Sequence, residues 1–125
     1  MHLANEIKSY QDLQVWQKAM DITEVCYRLT SSFPKSEMYG MTSQIRRAAA
    51  SIPANIAEGH GRELTGSFIQ FLRISQGSLK ELETHLLLAK RVALINEENT
   101  APVMKQCDEL GRMLRSLIRT LEAKS

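Results

Sequence analysis

At 125 residues the chain is long enough to bury one core without disulfide or metal staples, which predicts a single domain over 1–125. Its 43% hydrophobic and 24% charged residues argue against disorder, and 16 Lys+Arg against 14 Asp+Glu leave +2, too little for a molecule-wide polyanion-binding field, so any nucleic-acid surface must be a local patch. No apolar run approaches the ~20 residues of a bilayer span, and "MHLANEIKSYQDL" (1–13) lacks the basic and apolar regions of a signal peptide, so the expectation is a cytoplasmic protein with no membrane partner.

Four segments repeat their apolar residues at steps of three and four, and none alternates with the period of two of a half-buried strand; the chain is predicted all-α. The first helix is expected over about 12–32, with Asp12 as N-cap and "FPK" as its stop. It carries two interleaved series, one of Leu13, Trp16, Met20, Thr23, Tyr27 and Thr30, the other of Val15, Ala19, Ile22, Cys26, Leu29 and Phe33. Together they cover about 200° of the circumference, where a helix packed on one face of a monomer needs an apolar stripe of about 100°. Either this helix covers both bundle neighbours or it also meets a second copy of the chain, and self-association is the preferred reading.

The second helix is expected over about 37–59, opening at Glu37 or Met41, with a core stripe of Met38, Met41, Ile45, Ala48, Ala49, Ile52 and Ile56. Pro53 interrupts it. Either one helix stops at Ile52 and another opens with Pro53, leaving Ile52 as a poor N-cap, or a single kinked helix loses the amide that would bond the Ala49 carbonyl. The apolar phase from Ile45 to Ile56 does not slip, which favours the single helix. Ala50, Ala54 and Ala57 make a small strip that permits close approach of another helix. Gln44, Arg47, Ser51, Asn55, Glu58 and Arg62 make a polar seam, either a solvated face with Glu58 and Arg62 paired or a surface turned to a partner. "EGHGR" (58–62) follows a helix and lacks the ending of a nucleotide P-loop; Gly59 or Gly61 fits the left-handed residue that ends a helix.

The third helix is expected over about 65–95, with Thr65 as N-cap and Phe68, Leu72, Ser75, Leu79, Leu82, Leu86, Ala89 and Ala93 at heptad spacing. The fourth is expected over about 100–123, with Thr100 as cap, Pro102 in the first turn, and Val103, Cys107, Leu110, Leu114, Leu117 and Leu121 on one face. Short connections favour antiparallel neighbours, and the predicted fold is an up-down antiparallel four-helix bundle.

Little in the chain recommends catalysis. Cys26 and Cys107 fall at apolar positions and are expected as buried, reduced thiols. Of His2, His60 and His85, only His85 has a ligand-type neighbour at helical spacing, Glu81, and one pair does not make a metal site. No serine sits in a nucleophile elbow. The expectation is a non-enzymatic protein with no metal, no cofactor and no small-molecule substrate.

The basic residues offer more. Arg46, Arg47 and Arg62 surround the second helix, while Arg112, Arg115 and Arg119 form a row opposite the leucine stripe of the fourth. Such a row is ordinarily a solvated face, yet arginine is a better phosphate fork than lysine. The candidate contacts, to nucleic acid or to another subunit, are Arg46, Arg47, Ser51, Asn55, Glu58, Arg62, Arg112, Arg115 and Arg119. Aromatic residues are scarce and mostly core-placed, which points to salt-dependent backbone contact rather than base stacking.

Three stretches, "DLQVWQKAMDI" (12–22), "FPKSEMYGMTSQIRRAAASIPANIAEGHGR" (33–62) and "FLRISQGSLKELETHLLLAKRVALI" (71–95), resemble the bacterial four-helix-bundle family often encoded in intervening sequences of the 23S ribosomal RNA gene and historically labelled ribosomal proteins. The "SIPANIAEG" core preceded by "RRA" is its most specific part, and the motif maps to Trp16, Gln17, Arg46, Arg47, Ser51, Pro53, Asn55, Glu58, Gly59 and Arg62. The resemblance implies a cytoplasmic, non-catalytic bundle closed into a homopentamer. A related group, the accessory proteins of diversity-generating retroelements, shares the architecture and binds nucleic acid and a reverse transcriptase. Thr65-Gly66-Ser67 departs from the more charged start usual in the third helix, and the +2 charge is lower than retroelement accessory proteins carry. Two functions are therefore expected: an oligomeric scaffold that binds RNA or DNA, or a structural protein–protein interaction module that does not.

Overall fold

The computed structural model describes residues 7–124, so His2 and the first six residues of the segment read for a signal peptide lie outside the described residues. The described residues form four α-helices: α1 (Gln14–Thr30), α2 (Met41–Gly61), α3 (Thr65–Arg91) and α4 (Glu97–Lys124). Short 3-10 turns at Tyr10–Asp12 and Lys35–Glu37 precede α1 and α2, and the described residues contain no strand. α1 packs on α2, α2 on α3, α3 on α4 and α4 back on α1, while among the described residues no Cα atoms of the diagonal pairs α1–α3 and α2–α4 come within 8 Å of each other.

Side-chain pairs fix the direction of each neighbour. Thr23 meets Ala49 and Thr30 meets Arg46 between α1 and α2; Arg47 meets Glu81 and Ile52 meets Ser75 between α2 and α3. Arg73 meets Glu122 and Lys90 meets Glu97 between α3 and α4. In every case the numbers rise on one helix as they fall on the next, so consecutive helices are antiparallel and the four form an up-down bundle.

The core is the apolar stripe of each helix. Ile22 of α1, Ile45, Ile52 and Ile56 of α2, Leu72, Leu79, Leu82 and Leu86 of α3, and Leu110 and Leu114 of α4 are fully buried. Each such side chain stabilises the fold by about 1.5–3 kcal/mol relative to an exposed one. Ser75, Thr30 and Thr100 are the buried polar residues, and each hydroxyl donates to a carbonyl, of Ile52, Cys26 and Asn96 respectively. No buried side-chain nitrogen or oxygen among the described residues lacks a partner, as burial of polar atoms requires.

The helix ends differ from the sequence expectation. Asp12 does not cap α1: its carboxylate accepts the Lys8 and Ser9 amides and closes a capping box on the turn at Tyr10–Asp12, which pulls it below the ordinary carboxylate pKa. Leu13 enters α1 instead, without a side-chain cap. α2 opens at Met41, where the Glu37 carboxylate accepts the Met41 amide, and Met38 lies outside the helix and 51% exposed rather than in the core stripe. Thr65 is the first residue of α3, after Leu64, and α3 ends at Arg91 instead of Ile95. There Ala93 turns left-handed (φ 66°), and the Ala93 and Leu94 amides bond the Lys90 and Ala89 carbonyls in a Schellman arrangement. α4 starts earlier than expected, because the Asn96 side chain accepts the Asn99 amide; Thr100 is buried in the first turns, not capping, and Pro102 lies beyond the first turn. Ile118 is buried on α4 where the apolar series predicts Leu117, and Leu117 is half-buried.

Candidate nucleic-acid interface

Residues 46–61 lie on one continuous helix through Pro53, as the unbroken apolar phase predicts, and Arg62 is its C-cap. The proline has no amide to give the Ala49 carbonyl. The Thr23 hydroxyl of α1 lies 3.0 Å from that carbonyl and 2.8 Å from the Ala19 carbonyl of its own helix, so its single proton is shared between them. A neighbouring helix thus supplies the donor that Pro53 removes. One turn on, the buried Ser75 hydroxyl of α3 donates to the Ile52 carbonyl at 3.0 Å.

Neither Gly59 nor Gly61 is left-handed; Glu63 (φ 62°) is the left-handed residue after α2. Gly59 is buried inside the helix for a different reason. A Cβ there would lie 2.5 Å from Cβ of Phe71 and 3.3 Å from the Phe68 ring, so glycine lets α2 and α3 approach at this turn.

The polar seam is largely occupied with its own molecule. Ser51 Oγ donates to the Ala48 carbonyl at 2.8 Å, and Asn55 Nδ2 to the Ser51 carbonyl at 2.7 Å. Glu58 and Arg62 pair at 3.0 Å, and the Arg62 guanidinium lies 5.1 Å from the Phe71 ring centroid. Arg47 donates to Gln44 and lies 3.6 Å from the Glu81 carboxylate of α3. Arg46 is held by α1: its Nε donates to Thr30 Oγ1 at 2.8 Å, a terminal nitrogen to the Tyr27 carbonyl at 3.4 Å, and its guanidinium sits 4.6 Å from the Tyr27 ring centroid. A cation at the last carbonyls of α1 also complements the negative end of the helix dipole. Thr23, Ser75, Tyr27, Glu81 and Phe71, the partners holding this motif, were not singled out as contacts from the sequence. Their only signal was placement: Thr23 and Ser75 stand as hydroxyls inside apolar series.

The row on α4 is different. Arg112 pairs with Asp108 at 3.0 Å, while Arg115 and Arg119 have no acidic partner among the described residues. With Ser116 and Thr120 they line a shallow surface depression. Beside it, an open groove between the start of α1 and the second half of α4 is lined by Gln14, Gln17, Arg112, Ser116 and Thr120 over Leu13, Met113 and Leu117. α2 and α4 are diagonal in the bundle, so the arginines of the two helices lie on different sides and do not form one patch.

The other reactive groups are quiet. Cys26 and Cys107 are free and buried, and burial pushes both thiols up to about 12, so they stay protonated near neutrality. His85 lies 3.3 Å from Glu81, and no three His, Cys, Asp or Glu among the described residues come together as a metal site. No helix among the described residues is long and apolar enough to cross a membrane.

The double apolar series of α1 divides. Val15, Ala19, Ile22 and Cys26 are buried, Trp16 is half-buried against Tyr10 with ring centroids 5.3 Å apart, and Met20 and Tyr27 remain 42% and 45% exposed. On α2 the small strip is only partly covered by the chain: Ala54 is exposed, and Ala50 and Ala57 are half-buried.

Comparison with known proteins gives a consistent result. A crystal structure of a protein with unknown function from the S23 ribosomal protein family of Bacteroides thetaiotaomicron is similar to this chain, with a TM-score of 0.74 and 26% identity, covering 83% of this chain and 97% of the other. Among curated proteins no match is found. The profile described as 23S rRNA-intervening sequence protein matches residues 11–116, which include α1, α2, α3 and the arginines Arg112 and Arg115. The chain belongs to the 23S rRNA-intervening sequence protein family.

Proposed function

We propose that the protein is a non-enzymatic, self-assembling bundle that contacts the phosphate backbone of RNA or DNA. The observation that carries this reading is the α4 row, where Arg115 and Arg119 present guanidinium groups with no carboxylate to neutralise them among the described residues. Arginine without an internal partner keeps its fork of donors for an external phosphate. Assembly multiplies such a patch, which offsets a net charge of only +2 per chain. Exposed Met20 and Tyr27 on α1, and a partly exposed strip of small residues on the adjacent α2, give the bundle apolar surface for another copy, and a closed homopentamer is the assembly that the family resemblance implies. The shielded thiols and the absence of a clustered ligand set among the described residues favour a binding role over a catalytic one.

A second reading, a structural module for protein contacts alone, is favoured by the α2 side, where Arg46, Arg47 and Arg62 are engaged within the chain. Filter binding of the purified protein to a structured RNA and to a DNA duplex over a salt series separates the two. The first reading expects retention at low salt that falls steeply as salt rises. Absence of retention at low salt would leave the structural module standing.

A further inference from the structure

The nine candidate contacts do not have equal standing once their partners are known, and the difference also bears on the form of nucleic acid. On α2, moving Arg46 off Thr30 and Tyr27, Arg47 off Glu81, or Arg62 off Glu58 and Phe71 breaks a contact that ties the bundle together or caps a helix. Ser51 and Asn55 likewise spend their donors on α2 carbonyls. On α4 no partner among the described residues must be broken to free Arg115 and Arg119, and Arg112 pairs with the exposed Asp108 one turn away.

Geometry then narrows the ligand. Arg112, Arg115 and Arg119 step by three and four along one face of a 28-residue helix, so they span about 10 Å of its axis. A row of this length can lie along consecutive phosphates of one strand. The Ser116 hydroxyl lies in the same depression and can donate to the same phosphates, whereas the Thr120 hydroxyl donates to the Ser116 carbonyl at 3.0 Å. Capture of single strands needs exposed aromatic faces for base stacking. The exposed tyrosines are elsewhere: Tyr27 is near the end of α1 and Tyr39 precedes α2, at the opposite end of the antiparallel bundle from the second half of α4. Tyr10 and Trp16, at the near end, are stacked edge-to-face and packed against the core.

Resting on the nucleic-acid reading above, we infer that the α4 row Arg112, Arg115 and Arg119 is the phosphate-contacting surface, that it takes the backbone of a double-stranded segment rather than a single strand, and that Arg46, Arg47 and Arg62 serve the bundle itself.

Fluorescence anisotropy with three labelled probes tests this: a 20-base-pair RNA duplex, the DNA duplex of the same sequence, and a 20-nucleotide oligouridine. The wild type is expected to bind at least one duplex more tightly than the oligouridine. Arg115→Gln/Arg119→Gln should weaken duplex binding and reduce the slope of log K against log salt by about 0.9 for each phosphate contact removed. Both positions are exposed, so circular dichroism and light scattering should match the wild type. Arg47→Gln, also exposed, should leave the slope unchanged. Tighter oligouridine binding, or a duplex slope that survives the α4 pair but falls with Arg47→Gln, would overturn this inference while leaving nucleic-acid binding intact. No binding of any probe at low salt would overturn both.

Discussion

Two glycines in helix interiors have opposite meanings, and only their surroundings distinguish them. Gly59 is buried with the Phe71 Cβ where its own would be; around Gly77 nothing lies within 4 Å. Alanine is the better helix former by about 1 kcal/mol, so Gly77→Ala should stabilise the protein by about 0.5–1 kcal/mol. Gly59→Ala must push α3 away, and overpacking of this kind should destabilise by about 1–3 kcal/mol despite the gain in propensity. Urea unfolding of the two variants checks the sign: if both stabilise, the close approach of α2 and α3 at this turn is wrong. The sequence assigns a left-handed stop to Gly59 or Gly61, because glycine after a helical repeat usually is one. The left-handed residues are Glu63 and Ala93, and neither residue type announces a positive φ. Ala93 is held there by amides bonded back to α3, a reason no single-residue preference encodes.

The faces of the helices were legible, since the period of the apolar residues fixes which side is buried whatever the partner. Their ends were not. α1 and α3 enter through Leu13 and Leu64 without side-chain caps, while Asp12, Thr65 and Thr100, which look like caps, serve elsewhere. The single helix through Pro53 was legible from its phase, but the donor that makes the proline tolerable was not, because Thr23 is 26 residues from Ala49 in sequence. This junction ties α1 to α2 and makes a prediction at its own scale. Thr23→Val removes the donor and leaves the Ala49 carbonyl short, at a cost of about 1–3 kcal/mol. In a Pro53→Ala background the backbone amide regained at that position can serve the same carbonyl, so Thr23→Val should cost markedly less. A double-mutant cycle in urea measures the difference; equal costs in both backgrounds would show that Thr23 does not compensate for the proline.

For the whole molecule, the bundle sorts its arginines by what lies across from them. Arg46, Arg47 and Arg62 answer to Thr30, Tyr27, Glu81 and Phe71, and Arg46 and Arg47 find their partners on other helices, which is why the sequence motif could not reveal that they are engaged. The α4 row was legible as a row, and its freedom became visible only once Glu122 was seen paired with Arg73 and Asp108 with Arg112. The apolar excess on α1 was legible too: it leaves Met20 and Tyr27 exposed outside the core, on the helix that packs against α2, whose small residues are only partly covered. Assembly through such a face and phosphate contact through α4 are compatible, because α4 is diagonal to α2. Together the two proposals make the protein an assembly of this chain that carries nucleic acid. Multi-angle light scattering on the eluting protein, alone and with a 20-base-pair RNA duplex at low salt, tests it most directly. The expected mass is a whole multiple of the 14.2 kDa chain, five for a closed pentamer, rising by the mass of bound duplex and returning at high salt. A 14.2 kDa species whose mass is unchanged by the duplex would contradict it.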